Sequence, residues 1–371
     1  MPESRNYRLL VVIASLFLVG FTLFILKELQ SILLPFVLAV IISMLFHPFY
    51  KWMKGKKVPG FIAITIIIIT ILILSNITSV FVFAGINSFN SEYPKYEVRF
   101  HNLYISFVTL LNLSPDDIRS FKESLKLKNL LLEGSVTATL TNVFSSIVGI
   151  FSNFILILVY VIFLLSEIGS LRSRVLRAFS VEKAKKITNT LTDIFSEVRS
   201  YLVGKTILNL SQAVVIGIIL WMFDVEFYFI WAFLFFIADY VPYIGALVIT
   251  LLTGITMYLQ FDNFLTPTIL LVVLIVIQNI KGNLIEPKVL GDKLDLSPIV
   301  IILSLLFWGY VWGIVGMILS IPIMSMIKIV LMNFEQTRPI AILMSYNILS
   351  VEEKETVIEK KIKKYFKKKK S

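Results

Sequence analysis

The sequence has no cysteine among its 371 residues and only two histidines, His47 and His101. Without cysteine the chain can form no disulfide framework, thiolate metal site or cysteine nucleophile. The histidines stand near opposite ends of one apolar run, so a metal site built on them is not expected. A phosphate-binding Walker A loop is also absent, because Gly55 and Gly60 have the required spacing but Phe61 follows instead of lysine. Nucleophile-elbow and zinc-protease motifs are missing too. We therefore expect no cofactor, no metal and no direct use of ATP, and do not expect an enzyme.

Charged residues are scarce as well, at 16% of the chain, whereas hydrophobic residues make up 57%. A water-soluble domain of this size could not accommodate that composition on its surface. A membrane-spanning helix needs roughly 20 apolar residues. Four runs in the first half come close to or meet that length: Leu9–Leu26, Ile32–Phe46, Phe61–Phe83 and Phe144–Leu165.

The second half contains apolar blocks that are often too short to span a bilayer. They are Ile207–Phe223, Phe227–Val241, Ala246–Leu259, Phe264–Ile277 and Ile299–Ile329. Either two short blocks form a re-entrant hairpin, or the last block doubles back near Trp308–Gly313. We expect an all-α polytopic integral membrane protein of about eight transmembrane helices, with re-entrant or broken helices in its C-terminal half.

Lysine and arginine mark the segments that are expected to stay cytoplasmic. They fall before the first span, after the second, after the fourth and in the tail, whereas the charges between the third and fourth spans nearly cancel. We therefore expect both termini in the cytoplasm and an even number of crossings after Arg199. The same lysines account for the net charge of +11, so we do not expect nucleic-acid binding.

Three amphipathic stretches lie outside the predicted spans. A helix is expected to begin at Ser114, where a cap, a proline and two acids follow one another. From Ala184 to Tyr201, apolar residues recur at alternating steps of three and four. That helix is expected to pack on its own chain, and the alternative is that it forms a subunit contact. We separately expect the protein to be a homo-oligomer. A capping box at Ser350 predicts a basic helix that contacts anionic membrane lipids.

These patterns predict six regions along the chain. They are N-terminal transmembrane helices 1–3 (1–83), an extracytoplasmic amphipathic segment (84–142), transmembrane helix 4 (143–166), a cytoplasmic amphipathic helix (167–203), a C-terminal transmembrane transport region (204–333) and a basic cytoplasmic tail (334–371).

A polar wedge, residues 278–291, lies between two of the apolar blocks. Irregular backbone at membrane depth persists only where it is buried in protein or lines a wet cavity. Asp239 and Glu286 are acids in apolar surroundings, which makes each a functional-site hypothesis. The alternative is that they lie at the membrane interface and mark helix ends.

A further set of motifs is spread along the chain: Val241-Pro242-Tyr243-Ile244-Gly245, the stretch Gln278–Pro298, Gly309, Gly313-Ile314-Val315-Gly316-Met317, Ile321-Pro322, Pro35-Phe36 and a predicted turn at Tyr201–Gly204. Together these motifs resemble the autoinducer-2 exporter family of bacterial permeases. The resemblance covers nearly the whole chain and is weakest over residues 85–142. It implies a multi-pass protein of the bacterial inner membrane that moves a solute without ATP. Where relatives often carry an acid before the wedge glycine, this chain has Lys281, which favours an anionic or hydroxyl-rich solute over a cation.

We therefore expect a permease that exports a small polar solute, with an autoinducer-2-like signal as one candidate. The first alternative is a sodium or lithium/proton antiporter that uses Asp239 and Glu286 for a monovalent cation; the second is a membrane scaffold that transports nothing. Twelve residues are expected to line the substrate pathway: Asp239, Pro242, Tyr243, Gly245, Gln278, Asn279, Lys281, Gly282, Asn283, Glu286, Pro287 and Gly291. The glycines and prolines among them are expected to break helices.

Overall fold

The computed structural model describes residues 3–80, 99, 154–290 and 295–346, and all regular structure in these ranges is helical. We number the helices α1 Glu3–Glu28, α2 Gln30–Gly55, α3 Gly60–Val80, α4 Phe154–Ala178, α5 Val181–Met222, α6 Tyr228–Ala238, α7 Ile244–Gln260, α8 Leu265–Ile280, α9 Glu286–Leu290, α10 Pro298–Met332 and α11 Arg338–Leu343. A π-helical turn, Lys281–Ile285, joins α8 to α9. The helix predicted at Ser114, the basic helix predicted at Ser350 and Gly291 lie outside the described residues.

The length and composition of these helices confirm the prediction of a polytopic membrane protein. Six apolar segments in the described ranges are long enough to cross a membrane: α2, α3, α4, α5, the run Leu265–Leu290 and α10. Two more apolar helices, α6 and α7, are shorter. The first predicted span, Leu9–Leu26, lies within α1.

The chain divides into two compact units. Among the described residues, unit 1 comprises 3–64, 154–202 and 295–346, and unit 2 comprises 65–80, 99 and 203–290. Within unit 1, α2 packs along α4. Phe36 and Tyr160 meet edge to face there, with 5.5 Å between their ring centroids.

The amphipathic stripe of α5 packs inside unit 1. Ile194 and Val198 form a buried cluster with Met44 of α2, and Met326 of α10 packs against it. Ala184 and Tyr201, at the two ends of the stripe, are also buried. Of the two interpretations of this stripe, the structure supports packing against its own chain.

Helix α10 folds back on itself as a hairpin. A straight 35-residue helix would be about 50 Å long, yet Lys328 Nζ lies 2.9 Å from Asp295 Oδ2, just before the N-terminus of α10. The reversal falls at Trp312 and Gly313, whose dihedral angles are not helical. Gly313 has φ 62° and ψ −147°, a region that glycine alone adopts readily. The predicted doubling back of the last block is therefore confirmed.

The other predicted arrangement, a hairpin formed by two short apolar blocks, is also present, in unit 2. Helices α6 and α7 pack against each other, and their 11 and 17 residues correspond to about 16 Å and 25 Å. Gly245 lies in the first turn of α7, the second helix of this hairpin, and a Cβ there would collide with the carbonyl oxygen of Ala238. The apolar core of unit 2 contains buried residues from several helices: Phe235, Leu270, Leu274, Ile216, Leu220 and Met257.

The polar wedge is more regular than its sequence predicts. The chain remains helical from Leu265 to Leu290, with one widened π turn instead of a loop. Pro287 lies two residues beyond the π turn, inside this continuous helical run. Gly282 has helical neighbours, and a Cβ there would meet nothing within 4 Å. The prediction that Gly282 and Pro287 interrupt the helix is therefore wrong, whereas the break around Pro242 and Gly245 is confirmed.

The prediction of a turn at Tyr201–Gly204 is also wrong. Helix α5 runs without interruption from Val181 to Met222. No proline stands in this stretch, and one interior glycine costs a helix only about 1 kcal/mol relative to alanine.

Candidate functional site

An ion pair is buried in unit 2 where the α6–α7 turn meets the π turn. Lys281 Nζ lies 2.6 Å from Asp239 Oδ2 and also donates to Asn209 Oδ1 of α5 at 2.7 Å. Lys281 is 5% exposed and Asp239 6%. Three separate elements thus converge on one ammonium group.

Negative charge at the C-terminal end of α6 explains why a cation is needed beside Asp239. Asp239 is the C-cap of α6, and a helix C-terminus carries partial negative charge of its own. Asn209 Nδ2 donates to the carbonyl oxygen of Phe236 in that last turn at 3.3 Å. Lys281 therefore neutralises the Asp239 carboxylate and offsets the negative end of the helix dipole.

A second ion pair joins α5 to α9. Lys205 Nζ lies 2.5 Å from Glu286 Oε1. Lys205 is buried, whereas the Glu286 side chain is 26% exposed. Next to Lys205, Thr206 Oγ1 and Tyr240 Oη share a hydrogen bond of 2.6 Å.

These contacts define an antiparallel polar ladder between α5 and the Leu265–Leu290 run. Lys205 pairs with Glu286 and Asn209 with Lys281, so rising numbers on one segment meet falling numbers on the other. One turn further, the same register places Gln212 of α5 level with Gln278 of α8, and we count these two residues as a third rung although their amides do not bond to each other. We call these three rungs, together with Asp239, which pairs with Lys281 on the second rung, the polar ladder.

The third rung carries hydrogen-bonding groups that are not satisfied within the described part of the chain. Both amide atoms of Gln212 and the Nε2 atom of Gln278 are buried there without a hydrogen-bond partner. Gln212 is only 5% exposed. Since burying an unbonded amide costs roughly 1–3 kcal/mol in proteins, this rung is disfavoured unless something else bonds to it.

The predicted pathway residues separate into two groups. Asp239, Gln278, Lys281 and Glu286 belong to the polar ladder, and Gly245 shapes the turn beside it. The others do not converge on it. Asn279 donates to the carbonyl of Ile275 and accepts from Asn283 one turn away. Pro242 is half-buried within the α6–α7 turn. Four residues are exposed: Tyr243, Gly282, Asn283 and Pro287.

The α5 side of the ladder was not among the residues predicted from the sequence. Lys205, Asn209 and Gln212 follow one another at steps of four and three, which puts them on one helix face. These three polar residues stand at the start of an otherwise apolar block, and that contrast could have identified them. They were overlooked because a turn was expected just before them, at Tyr201–Gly204.

Neither acid of the ladder is free to hold an ion. Asp239 and Glu286 are each engaged by a lysine at 2.6 Å or less. Among the residues that the structure describes, no group of three or more histidine, cysteine, aspartate or glutamate side chains could hold a metal ion.

Comparison with known proteins agrees with this picture of a membrane transporter. A family model described as AI-2E family transporter matches residues 10–336. The AI-2 transport protein TqsA of Escherichia coli K12 is 28% identical over 317 residues, covering 85% of this chain and 90% of that protein. A putative transport protein of Haemophilus influenzae is 30% identical over 332 residues, covering 86% of this chain and 91% of that protein. Another, YhhT of E. coli K12, is 27% identical over 333 residues, with coverage of 88% and 91%. Since the family match spans most of its length, the chain belongs to the AI-2E transporter family.

Proposed function

We propose that this chain is an ATP-independent permease of the bacterial inner membrane that exports a small polar solute, and that the polar ladder lies on the solute's route. The observation that carries the proposal is the third rung. Both amide atoms of Gln212 and the Nε2 atom of Gln278 are buried without a hydrogen-bond partner in the described part of the chain. A solute rich in hydroxyl or carbonyl groups would supply the hydrogen bonds that these amides lack.

The first two rungs suit such a solute because their charges cancel. Two lysines face two carboxylates, so a neutral polar molecule meets fixed dipoles without having to displace a net charge. The ladder residues are Lys205, Asn209, Gln212, Asp239, Gln278, Lys281 and Glu286. We retain Pro242, Tyr243, Gly245, Asn279, Gly282, Asn283, Pro287 and Gly291 as the proposed outer margin of the same route.

Beyond the third rung, the ladder is followed by buried apolar side chains that would block a solute. On α5, Ile216 and Leu220 continue the face that carries Gln212, and both are fully buried in the core of unit 2. A solute that reaches the third rung therefore passes further only if that core separates. This arrangement suits an occluded state of a carrier better than an open channel.

The two other functions fit the ladder less well. An antiporter that uses Asp239 and Glu286 needs carboxylates that exchange a cation and a proton, whereas both are paired with lysines. A scaffold has no use for unsatisfied amides buried between membrane helices.

Reconstitution tests the proposal. Purified protein in vesicles should release preloaded autoinducer-2, which is the first solute to try because the TqsA relative is named for it. Replacing Gln212 or Gln278 by Leu should slow release by about tenfold, the equivalent of one lost hydrogen bond of ~1.4 kcal/mol in the transition state. The matched control is Ser211→Leu, adjacent to Gln212 in sequence but exposed and outside the proposed route, which should release at close to the parental rate.

Sodium and pH measurements on the same vesicles separate the alternatives. Sodium uptake coupled to a pH change, without release of autoinducer-2, would favour the antiporter. If neither flux exceeds that of empty vesicles, the transport proposal fails. If the Gln212 and Gln278 variants release as fast as the parent, the route lies elsewhere.

A further inference from the structure

The ammonium group of Lys281 lies where a free monovalent cation would be expected to bind. Its two nearest partners are oxygen atoms from different elements, Asn209 Oδ1 at 2.7 Å and Asp239 Oδ2 at 2.6 Å. One carboxylate oxygen and one amide oxygen are ligands that suit alkali and alkaline-earth cations. An ammonium group is also close in size to a potassium ion.

The orientation of Asn209 agrees with an oxygen site. Its Nδ2 atom donates to the carbonyl of Phe236, and that bond turns Oδ1 toward Lys281. The two atoms that bond to the ammonium group are therefore both oxygens, which suits a cation and not an anion.

The surrounding charges show why this position must hold a positive charge. The Asp239 side chain is 5% exposed, and a carboxylate that deeply buried is stable as an ion only beside a cation. The other charged residues of the ladder, Lys205 and Glu286, pair with each other. Lys281 is thus the counter-ion for Asp239.

We propose that Lys281 serves as a tethered monovalent cation in a site formed by Asp239 and Asn209, so that free sodium or potassium binds there only when the lysine side chain is removed. In the parental protein the tether keeps the ammonium group at a local concentration that free ions do not match. Lys281 thereby determines that the protein works without a bound alkali cation at this site. This inference goes beyond the proposed function and stands without it, because its test measures ion binding and not transport.

The test compares the melting temperature of purified, detergent-solubilised parent and Lys281→Met in sodium, potassium and choline chloride at equal ionic strength. Choline is too large for the site and serves as the inert cation. The parent should melt at the same temperature in all three salts. Lys281→Met should melt higher in sodium or potassium than in choline, with a rise that saturates as the salt concentration passes the dissociation constant.

Two controls assign the effect to this site. Lys288→Met removes an exposed lysine from the same segment and should leave all three melting temperatures equal. Adding Asp239→Asn to Lys281→Met removes the charged ligand and should abolish the difference between salts.

Equal melting of Lys281→Met in all three salts would overturn the proposal, because Asp239 would then have taken up a proton instead of a cation. A parent whose stability depends on the cation would overturn it as well. If Lys281→Met is too unstable to melt cooperatively, the yield of folded protein after solubilisation gives the same decision. Recovery in sodium or potassium but not in choline supports the proposal, and equal loss in all three contradicts it.

Discussion

At the residue scale, the two glycines Gly313 and Gly282 have opposite roles in the structure. Gly313 turns the α10 hairpin with φ 62° and ψ −147°, whereas Gly282 lies in a helical turn with open space around it. Gly313→Ala should therefore destabilise the protein by about 1–3 kcal/mol, the cost of forcing a side chain into a region that suits glycine. Gly282→Ala should melt at the parental temperature or slightly above. Differential scanning fluorimetry on purified protein measures both, and parental melting of Gly313→Ala would contradict the hairpin geometry.

The candidate site shows how far single residues could be interpreted from the sequence. Asp239 and Glu286 were identifiable because an acid in apolar surroundings is costly, and Lys281 stood out in the wedge. Their pairing was not predictable, because the Lys281–Asp239 bond joins residues 42 positions apart and Lys205–Glu286 joins residues 81 apart. Contacts between such distant positions depend on how the helices pack, which periodicity within one segment does not encode.

At the scale of elements, the α5 stripe is part of the core of unit 1. Ile194 is 7% exposed and packs with Met44 and Val198. Ile194→Asp would bury a charge without a partner, at a cost of several kcal/mol, so we expect loss of folded protein instead of dissociation into stable monomers. Thr192→Asp, on the exposed face of the same helix, should behave like the parent. Size-exclusion chromatography and melting curves together check this, and a well-folded Ile194→Asp protein of smaller size would restore the subunit-contact interpretation.

The hairpins show what the sequence determined about elements and what it left open. Block lengths and crossing parity required at least one reversal after Arg199, and the structure has two. Apolar length alone could not reveal this, because α10 is long enough to span a membrane as a single helix. The reversal depends on one residue, Gly313, and on the Asp295–Lys328 pair that closes the base of the hairpin.

At the scale of the whole molecule, composition predicted the class of protein, and the family match and the helical structure confirm it. Placement of both termini in the cytoplasm stays a prediction. It is compatible with the two hairpins, because a hairpin that returns to its side of entry leaves the number of crossings even. The homo-oligomer also stays a prediction, and the α5 stripe no longer supports it.

The central claim is that the polar ladder is a route for solute and not a packed core, and thiol accessibility tests it most directly. Because the parent has no cysteine, Gln212→Cys introduces a single thiol at the third rung. Two matched variants on α5 provide controls: Val214→Cys on the outward face and Ile216→Cys in the apolar core.

In reconstituted vesicles that are exchanging solute, Gln212→Cys should react with a membrane-impermeant thiol reagent much faster than either control. Only a thiol that reaches water ionises readily and becomes nucleophilic, and saturating solute should slow the reaction by covering the rung. If Gln212→Cys reacts as slowly as Val214→Cys and Ile216→Cys under the same solute gradient, water and solute do not reach the ladder, and the claim is wrong.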